Sequence, residues 1–224
     1  MNSSHTFSET ERDAVYRTIR ERRDVRRFRS DAIPDDIMLR LLTAAAHAPS
    51  VGYMQPSNFL VIRNMEVRQK IHRAFVKANT EAQAMFPPDR RDEYAKLKLQ
   101  GILESGLNLC ITCDRSRSGP VVLGRTCQSD MDIYSTVCAV QNLWLAARAE
   151  GIGVGWVSIL KLEDVKRILD LPENVVPIAY LCIGYTDVFA AEPELKTYGW
   201  LPEIPLKEMV FYDRWGACNP LTAL

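Results

Sequence analysis

Neither sign of charge predominates in this chain: 28 Lys+Arg stand against 28 Asp+Glu, for a formal net charge of zero. Nucleic-acid and membrane-surface proteins carry a basic excess, so no nucleic-acid or membrane partner is expected. Long hydrophobic runs are missing as well. The longest, residues 137–149, is broken by Gln141, Asn142 and Arg148, and is too short and polar to span a bilayer. Residues 1–10 are polar and hold no charged-then-apolar leader, which argues against secretion. The six cysteines then read as reduced thiols of a cytoplasmic protein. Histidine is scarce, with only His5, His47 and His72. Cys110-x-x-Cys113 has no second CxxC to pair with. It also lies in the apolar run 107–114, where residues three apart on a strand face opposite sides, so no metal is expected. No Gly-x-Gly-x-x-Gly follows a strand, and Gly151-x-Gly153-x-Gly155 enters a strand instead of opening a helix. Walker loops, Gly-x-Ser-x-Gly elbows and His-Glu-x-x-His pairs are likewise missing.

What is present is a chain of 224 residues with 47% hydrophobic content, enough for one substantial core and read as a single domain, 1–224. Ser8-x-x-Glu11 is a capping-box signature, and Val15 with Ile19 supplies a buried stripe, which predicts a first helix over about 9–23. A second helix follows Pro34-Asp35, with Ile37, Leu41, Leu42 and Ala45 on one face. Residues 48–56 form a loop punctuated by two prolines and a glycine. Strands are expected at 59–62, 107–113, 154–157 and 176–185; helices at 65–84, 90–104, 129–150 and 163–171. The last 39 residues hold four prolines and no sustained periodicity, yet Trp200, Phe211, Tyr212 and Trp215 favour a tail laid against something.

Arg22-Arg23-Asp24-Val25-Arg26, placed at the end of the first helix, packs three guanidiniums around one carboxylate. On a helix Arg22 and Arg26 share a face at i,i+4, and Arg23 sits beside Arg26 at i,i+3. Forked planar donors in that arrangement suit a phosphate. With zero net charge overall, so local a basic cluster fits one small anion better than a polyanion. The alternative is a solvated basic face.

A helix ending in Arg-Arg-x-x-Arg, a following helix, then Ala-Pro-Ser-x-x-x-x-Gln-Pro and an Asn-Phe strand resembles the nitroreductase-like FMN proteins. Within that superfamily, five segments resemble the branch of 5,6-dimethylbenzimidazole synthases. These are Ser50-Val51-Gly52-Tyr53-Met54-Gln55-Pro56, Thr112-Cys113-Asp114-Arg115, Val121-Val122-Leu123-Gly124-Arg125-Thr126, residues 134–148, and Gly153-Val154-Gly155-Trp156-Val157-Ser158. The resemblance covers residue 10 to the end. It implies an α+β fold with a central mixed sheet flanked by helices, in a domain-swapped homodimer. FMN would lie at the interface, and a C-terminal arm of about 186–224 would embrace the partner subunit.

The same resemblance implies the chemistry. Reduced FMN, supplied by a separate flavin reductase, is substrate as well as ligand. It reacts with O2 to give a flavin peroxide, and its isoalloxazine is fragmented to 5,6-dimethylbenzimidazole, the lower ligand of vitamin B12, with D-erythrose 4-phosphate released. Reductases of the superfamily have Arg-Arg-Ser-x-Arg, where the hydroxyl donates to phosphate; here Asp24 is an acceptor-only ion and cannot take that role. A carboxylate is useful if a proton must be moved, because breaking the ribityl chain requires a base. Asp24 is assigned as general base and Ser158 as a hydroxyl near the reactive ring edge. The alternatives are a helix-end carboxylate and a satisfied strand-end serine.

The FMN-binding set implied is Arg22, Arg23, Asp24, Val25, Arg26, Ser50, Val51, Gly52, Gln55, Met85, Lys98, Val157 and Ser158. Gly52 would let backbone lie against the flavin, or is simply a turn glycine. Lys98, on the mid-chain helix, would add a positive contact, and residues 78–97, with Met85, a flavin-covering lid. The C-terminal Lys-x-Arg pair of the reductases is missing from Lys196-Thr197-Tyr198-Gly199-Trp200, leaving phosphate binding to Arg22, Arg23 and Arg26. The rival reading is an NAD(P)H-dependent reductase of nitro, quinone or halogenated compounds. A third is a flavin-storage or sensor module.

Overall fold

A computed structural model describes residues 5–217. Four strands, β1 (Ser57–Ile62), β2 (Leu107–Asp114), β3 (Gly153–Trp156) and β4 (Val175–Gly184), form one sheet in the order β1-β2-β4-β3. All three strand pairings are antiparallel; a parallel component enters only as an isolated bridge of Asp24 to Val154, where a mixed sheet was expected. The β2–β4 register slips between Ile111 and Thr112, because Ala179 pairs with the first and Pro177 with the second. Proline has no N–H for the ladder, so a bulge at Pro177 is where the sheet accommodates it.

Helices cover both faces. α2 (Asp35–Ala46) and α5 (Met131–Ala149) bury Leu41, Ala45, Leu143 and Ala147 against Leu107, Leu109 and Ile111 of β2. α3 (Met65–Met85) and α6 (Leu162–Ile168) bury Ile71, Phe75 and Val165 against Cys110, Tyr180 and Cys182. A strand covered on both faces has no need of polar alternation, and β2 buries every residue but Asp114, Asn108 and Thr112 included. Cys110 and Cys113 both lie fully buried within it.

Two expected helices end early. α1 (Glu9–Glu21) starts with the capping box, Ser8 Oγ accepting from the Glu11 amide while Glu11 accepts from the Ser8 amide at 2.9 Å. It stops at Glu21, and Arg22 already has an extended ψ of 133°. The Val25 amide donates to the Val154 carbonyl at 2.9 Å, so pairing with β3 wins over continued helix. The expected stripe of Val15 and Ile19 is about half exposed, contrary to the burial expected of it. The helix expected at 90–104 is α4 (Pro88–Ala95) and no more. Beyond it, buried Arg68 takes the Ile102 carbonyl at 2.6 and 2.9 Å and the Ser105 carbonyl at 2.6 Å, acceptors a continuing helix would direct along its own axis. Gly101 also lies where a Cβ would come 2.5 Å from the Phe28 ring.

The chain divides into two compact units, residues 1–189 and 190–224. In the second, α7 (Glu194–Thr197) carries Lys196, which pairs with Glu192 at 2.9 Å and Glu203 at 2.7 Å, and the Phe211 and Trp215 rings lie 4.7 Å apart. Residues 218–224, within the expected arm, lie outside the described residues. No helix among the described residues is long and apolar enough to cross a membrane.

Candidate active site

Residues 22–26 run extended along the outer edge of β3 instead of closing a helix, so the i,i+4 argument for Arg22 and Arg26 does not hold. Extended backbone alternates sides, which sets Arg22, Asp24 and Arg26 against Arg23 and Val25. Val25 is buried over Gly153, where a Cβ would sit about 3.0 Å from its side chain. The three guanidiniums do different things. Arg22 lies over the Trp144 ring, 4.8 Å from its centroid. Arg23 Nη1 donates to the Arg20 and Arg22 carbonyls, each at 2.7 Å, while its own carbonyl accepts from Trp144 Nε1 at 3.1 Å. Arg26 forks onto both carboxylate oxygens of Asp24 and reaches the Trp156 carbonyl at 3.1 Å. The Trp156 amide in turn donates to Asp24 Oδ1 at 3.0 Å.

Asp24 and Ser158 therefore gather at one end of β3, Ser158 two residues beyond the amide that Asp24 accepts, exposed, with Val157 buried between and donating to Tyr180 O at 2.9 Å. Sequence reasoning passed over Gly155 and Trp156. The glycine repeat was the available signal: it does not mark a nucleotide loop but lets residues 24–26 lie flat against β3.

The second group, Ser50, Val51, Gly52 and Gln55, precedes β1. The Val51 amide donates to Ser135 Oγ at 3.2 Å, and the Gln55 amide to Ser50 Oγ at 3.1 Å. Gly52 has φ +58°, and a Cβ there would stand 2.6 Å from the Leu123 carbonyl and Val122 Cγ1. Its missing side chain thus makes room for residues 122–123, and it is a turn glycine in its own right. Gln55 also adopts φ +46° and gives its carbonyl to Arg117 Nη1 at 2.7 Å. Behind residues 50–55 and 122–123 stands the first turn of α5. Fully buried Asp132 accepts from Arg125 Nη1 at 3.1 Å and pairs with Arg115 Nη1 at 3.2 Å, and Arg125 Nη2 holds the Gly119 carbonyl at 2.8 Å. Arg117, Arg125 and Asp132 were missed in sequence because nothing in their spacing distinguishes them.

Two expected residues stand apart. Lys98 is not on a helix; its Nζ pairs with Glu104 at 2.6 Å. Met85, the last residue of α3, is 82% exposed. The first and second groups lie on opposite edges of the sheet, β3 and β1 being the outer strands. Three strand spacings, roughly 14 Å, separate those edges.

A family model described as the nitroreductase family matches residues 19–185. The chain belongs to that family. The nitroreductase-family protein is 40% identical over 205 residues to the 5,6-dimethylbenzimidazole synthase of Rhodospirillum rubrum, covering 92% of this chain and 97% of that one. It is 36% identical to the 5,6-dimethylbenzimidazole synthase of Rhodobacter capsulatus, over 89% and 96% of the two chains. Among solved structures it resembles iodotyrosine deiodinase bound to FMN and 3-iodo-L-tyrosine, at a TM-score of 0.70, 19% identity, and coverage of 90% and 100%. That likeness concerns the fold.

This donor set suits a flavin mononucleotide. Guanidiniums at 22 and 23 match a phosphate, while a partly exposed carboxylate and an exposed hydroxyl at one strand end match a polyhydroxyl arm.

Proposed function

We propose that this protein is a 5,6-dimethylbenzimidazole synthase, catalysing the oxygen-dependent fragmentation of reduced FMN to 5,6-dimethylbenzimidazole and D-erythrose 4-phosphate. The observation that carries the reading is the meeting of Asp24 with the end of β3. A carboxylate stands where the reductases of the family have a phosphate-binding hydroxyl, and it is held by Trp156 N–H beside Ser158. Relatives of that name, matched over nearly their full length, support it.

In this reading Arg22 and Arg23 bind the phosphate. Asp24 accepts a proton from the ribityl arm, and Ser158 orients the reacting edge of the ring. FMN supplies the carbon skeleton and the reducing electrons, and O2 is the oxidant. The active unit is a homodimer in which residues 22–26 and 158 of one copy face residues 50–55 of the other, which accounts for two half-sites on opposite sheet edges. The half-exposed Val15, Tyr16 and Ile19 of α1, with Tyr134 and Val137 of α5, offer an apolar face for such a partner. Residues 78–97 serve as the lid and residues 186–224 as the arm around the partner; a separate reductase delivers the reduced flavin in the cytoplasm.

The test is direct. Purified protein is given FMN, a flavin reductant and air, and 5,6-dimethylbenzimidazole is sought by mass spectrometry. Irreversible loss of flavin absorbance with product is expected. NAD(P)H oxidation by the protein alone, with the flavin intact, would instead identify a reductase.

A further inference from the structure

We propose that Arg26 is a positioning residue for Asp24 and not a phosphate ligand; the role assigned to Asp24 rests on the function proposed above. Three independent features of the chain converge on this. The first is the fork itself. Nη1 and Nη2 of Arg26 each engage one oxygen of the Asp24 carboxylate, a bidentate match that a guanidinium can make and an ammonium cannot. Residues 24 and 26 can meet in this way because Val25 is pinned to Val154 and the segment is extended, placing both side chains on one side.

The second is the frame around the fork. The Trp156 peptide serves both partners, its N–H donating to Asp24 and its carbonyl accepting from Arg26 at 3.1 Å. A carboxylate held by three donors, two of them on one rigid fork, has little rotational freedom. The third is Gly155. A Cβ there would stand 2.1 Å from the Val25 carbonyl and 2.8 Å from Arg26 Nη1, so that position is kept clear for the guanidinium.

Exposure gives the pair its polarity. The Arg26 side chain is 13% exposed and that of Asp24 43%, so the carboxylate faces outward with the guanidinium behind it. A part-buried guanidinium already spent on a carboxylate and a carbonyl has few donors left for a phosphate. That function falls first to Arg22, whose guanidinium lies over the Trp144 ring. A base aimed within a few tenths of an ångström of its proton contributes to the rate without contributing to ground-state binding.

The experiment compares wild type with Arg26→Gln, Arg26→Lys, Arg22→Ala, Asp24→Asn and the double variant Asp24→Asn/Arg26→Gln. FMN affinity is read by quenching of flavin fluorescence, and turnover as dimethylbenzimidazole formed per flavin consumed. Arg26→Gln and Arg26→Lys are expected to leave Kd for FMN within about 3-fold of wild type, whereas Arg22→Ala weakens it at least 10-fold. Product formation should fall about 100-fold in kcat for both Arg26 variants with KM little changed, and the double variant should be no slower than Asp24→Asn alone. A 10-fold or greater loss of FMN affinity in Arg26→Gln would overturn the proposal, as would a strictly additive double variant. If wild type itself makes no dimethylbenzimidazole, the functional reading fails. The affinity arm, together with non-additivity of the same variants in thermal unfolding, still decides whether Arg26 serves Asp24 or a phosphate. Gly155→Ala, whose Cβ would crowd Arg26 Nη1, is expected to reproduce the Arg26→Lys phenotype if it folds.

Discussion

Removing the carboxylate of Asp132 tests how the loop of residues 115–125 is held. Asp132 is fully buried, Arg125 is 11% exposed and Arg115 31% exposed, so Asp132→Ala leaves one well-desolvated guanidinium without its counter-ion. Breaking a buried pair by deleting one member costs about 3–5 kcal/mol, against about 0–1 kcal/mol at the surface. Two features place this site at the low end of that range. Arg115 keeps Asp130 at 3.0 Å, and Arg125 keeps the Arg115 carbonyl at 3.1 Å and that of Gly119 at 2.8 Å. A loss of about 3 kcal/mol corresponds to a fall in Tm of roughly 6–12 °C for a unit of this size. Asp132→Asn retains an acceptor and should lose about half as much. Urea titrations with unchanged m-values, run beside thermal melts, supply the measurement. A loss under about 1 kcal/mol for Asp132→Ala would refute the premise, since it is what a solvated pair gives.

Other perturbations address neighbouring features. Gly52→Ala forces a side chain into φ +58° and against the Leu123 carbonyl, and should destabilise by about 1–2 kcal/mol or more, checked by denaturant titration. Ser158→Ala should keep FMN affinity within about 3-fold while slowing product formation by about 10–100-fold; normal turnover would remove Ser158 from the reaction. Burial pushes the Cys182 thiol up to about 11 and that of Cys110 up to about 12, from 9.0 for a free thiol. The unfolded chain therefore gives up these protons first as pH rises. The stability they contribute is whole below about pH 9 and is lost as pH climbs toward 11–12, at up to about 1.4 kcal/mol per pH unit for each thiol. Unfolding titrations at pH 8 and pH 10.5 should show the decline, and Cys182→Ala should flatten it.

Much of the fold was legible because hydrophobic period and capping chemistry are local. Ser8 with Glu11 set the start of α1, and the runs 107–113 and 176–185 became β2 and β4 within a residue or two. The failures share one cause, tertiary partners competing with local preference. Arg22, Arg23 and Arg26 carry helix-forming side chains, yet the edge of β3 takes their backbone. Residues 96–104 keep helical periodicity, but the Arg68 guanidinium claims the Ile102 carbonyl. The site residues were legible as types and not as an arrangement. Asp24 stood out as an acid among bases, while Trp156, which holds it, lies 132 positions on, where nothing in a single sequence ties the two together.

The placement of β1 and β3 as outermost strands has a genetic corollary. If every reaction centre is shared between chains, then a chain defective at position 24 and a chain defective at position 52 can rescue each other when co-expressed. Each hybrid assembly would carry one centre with both lesions and one with neither, and random pairing would restore about a quarter of the wild-type centres.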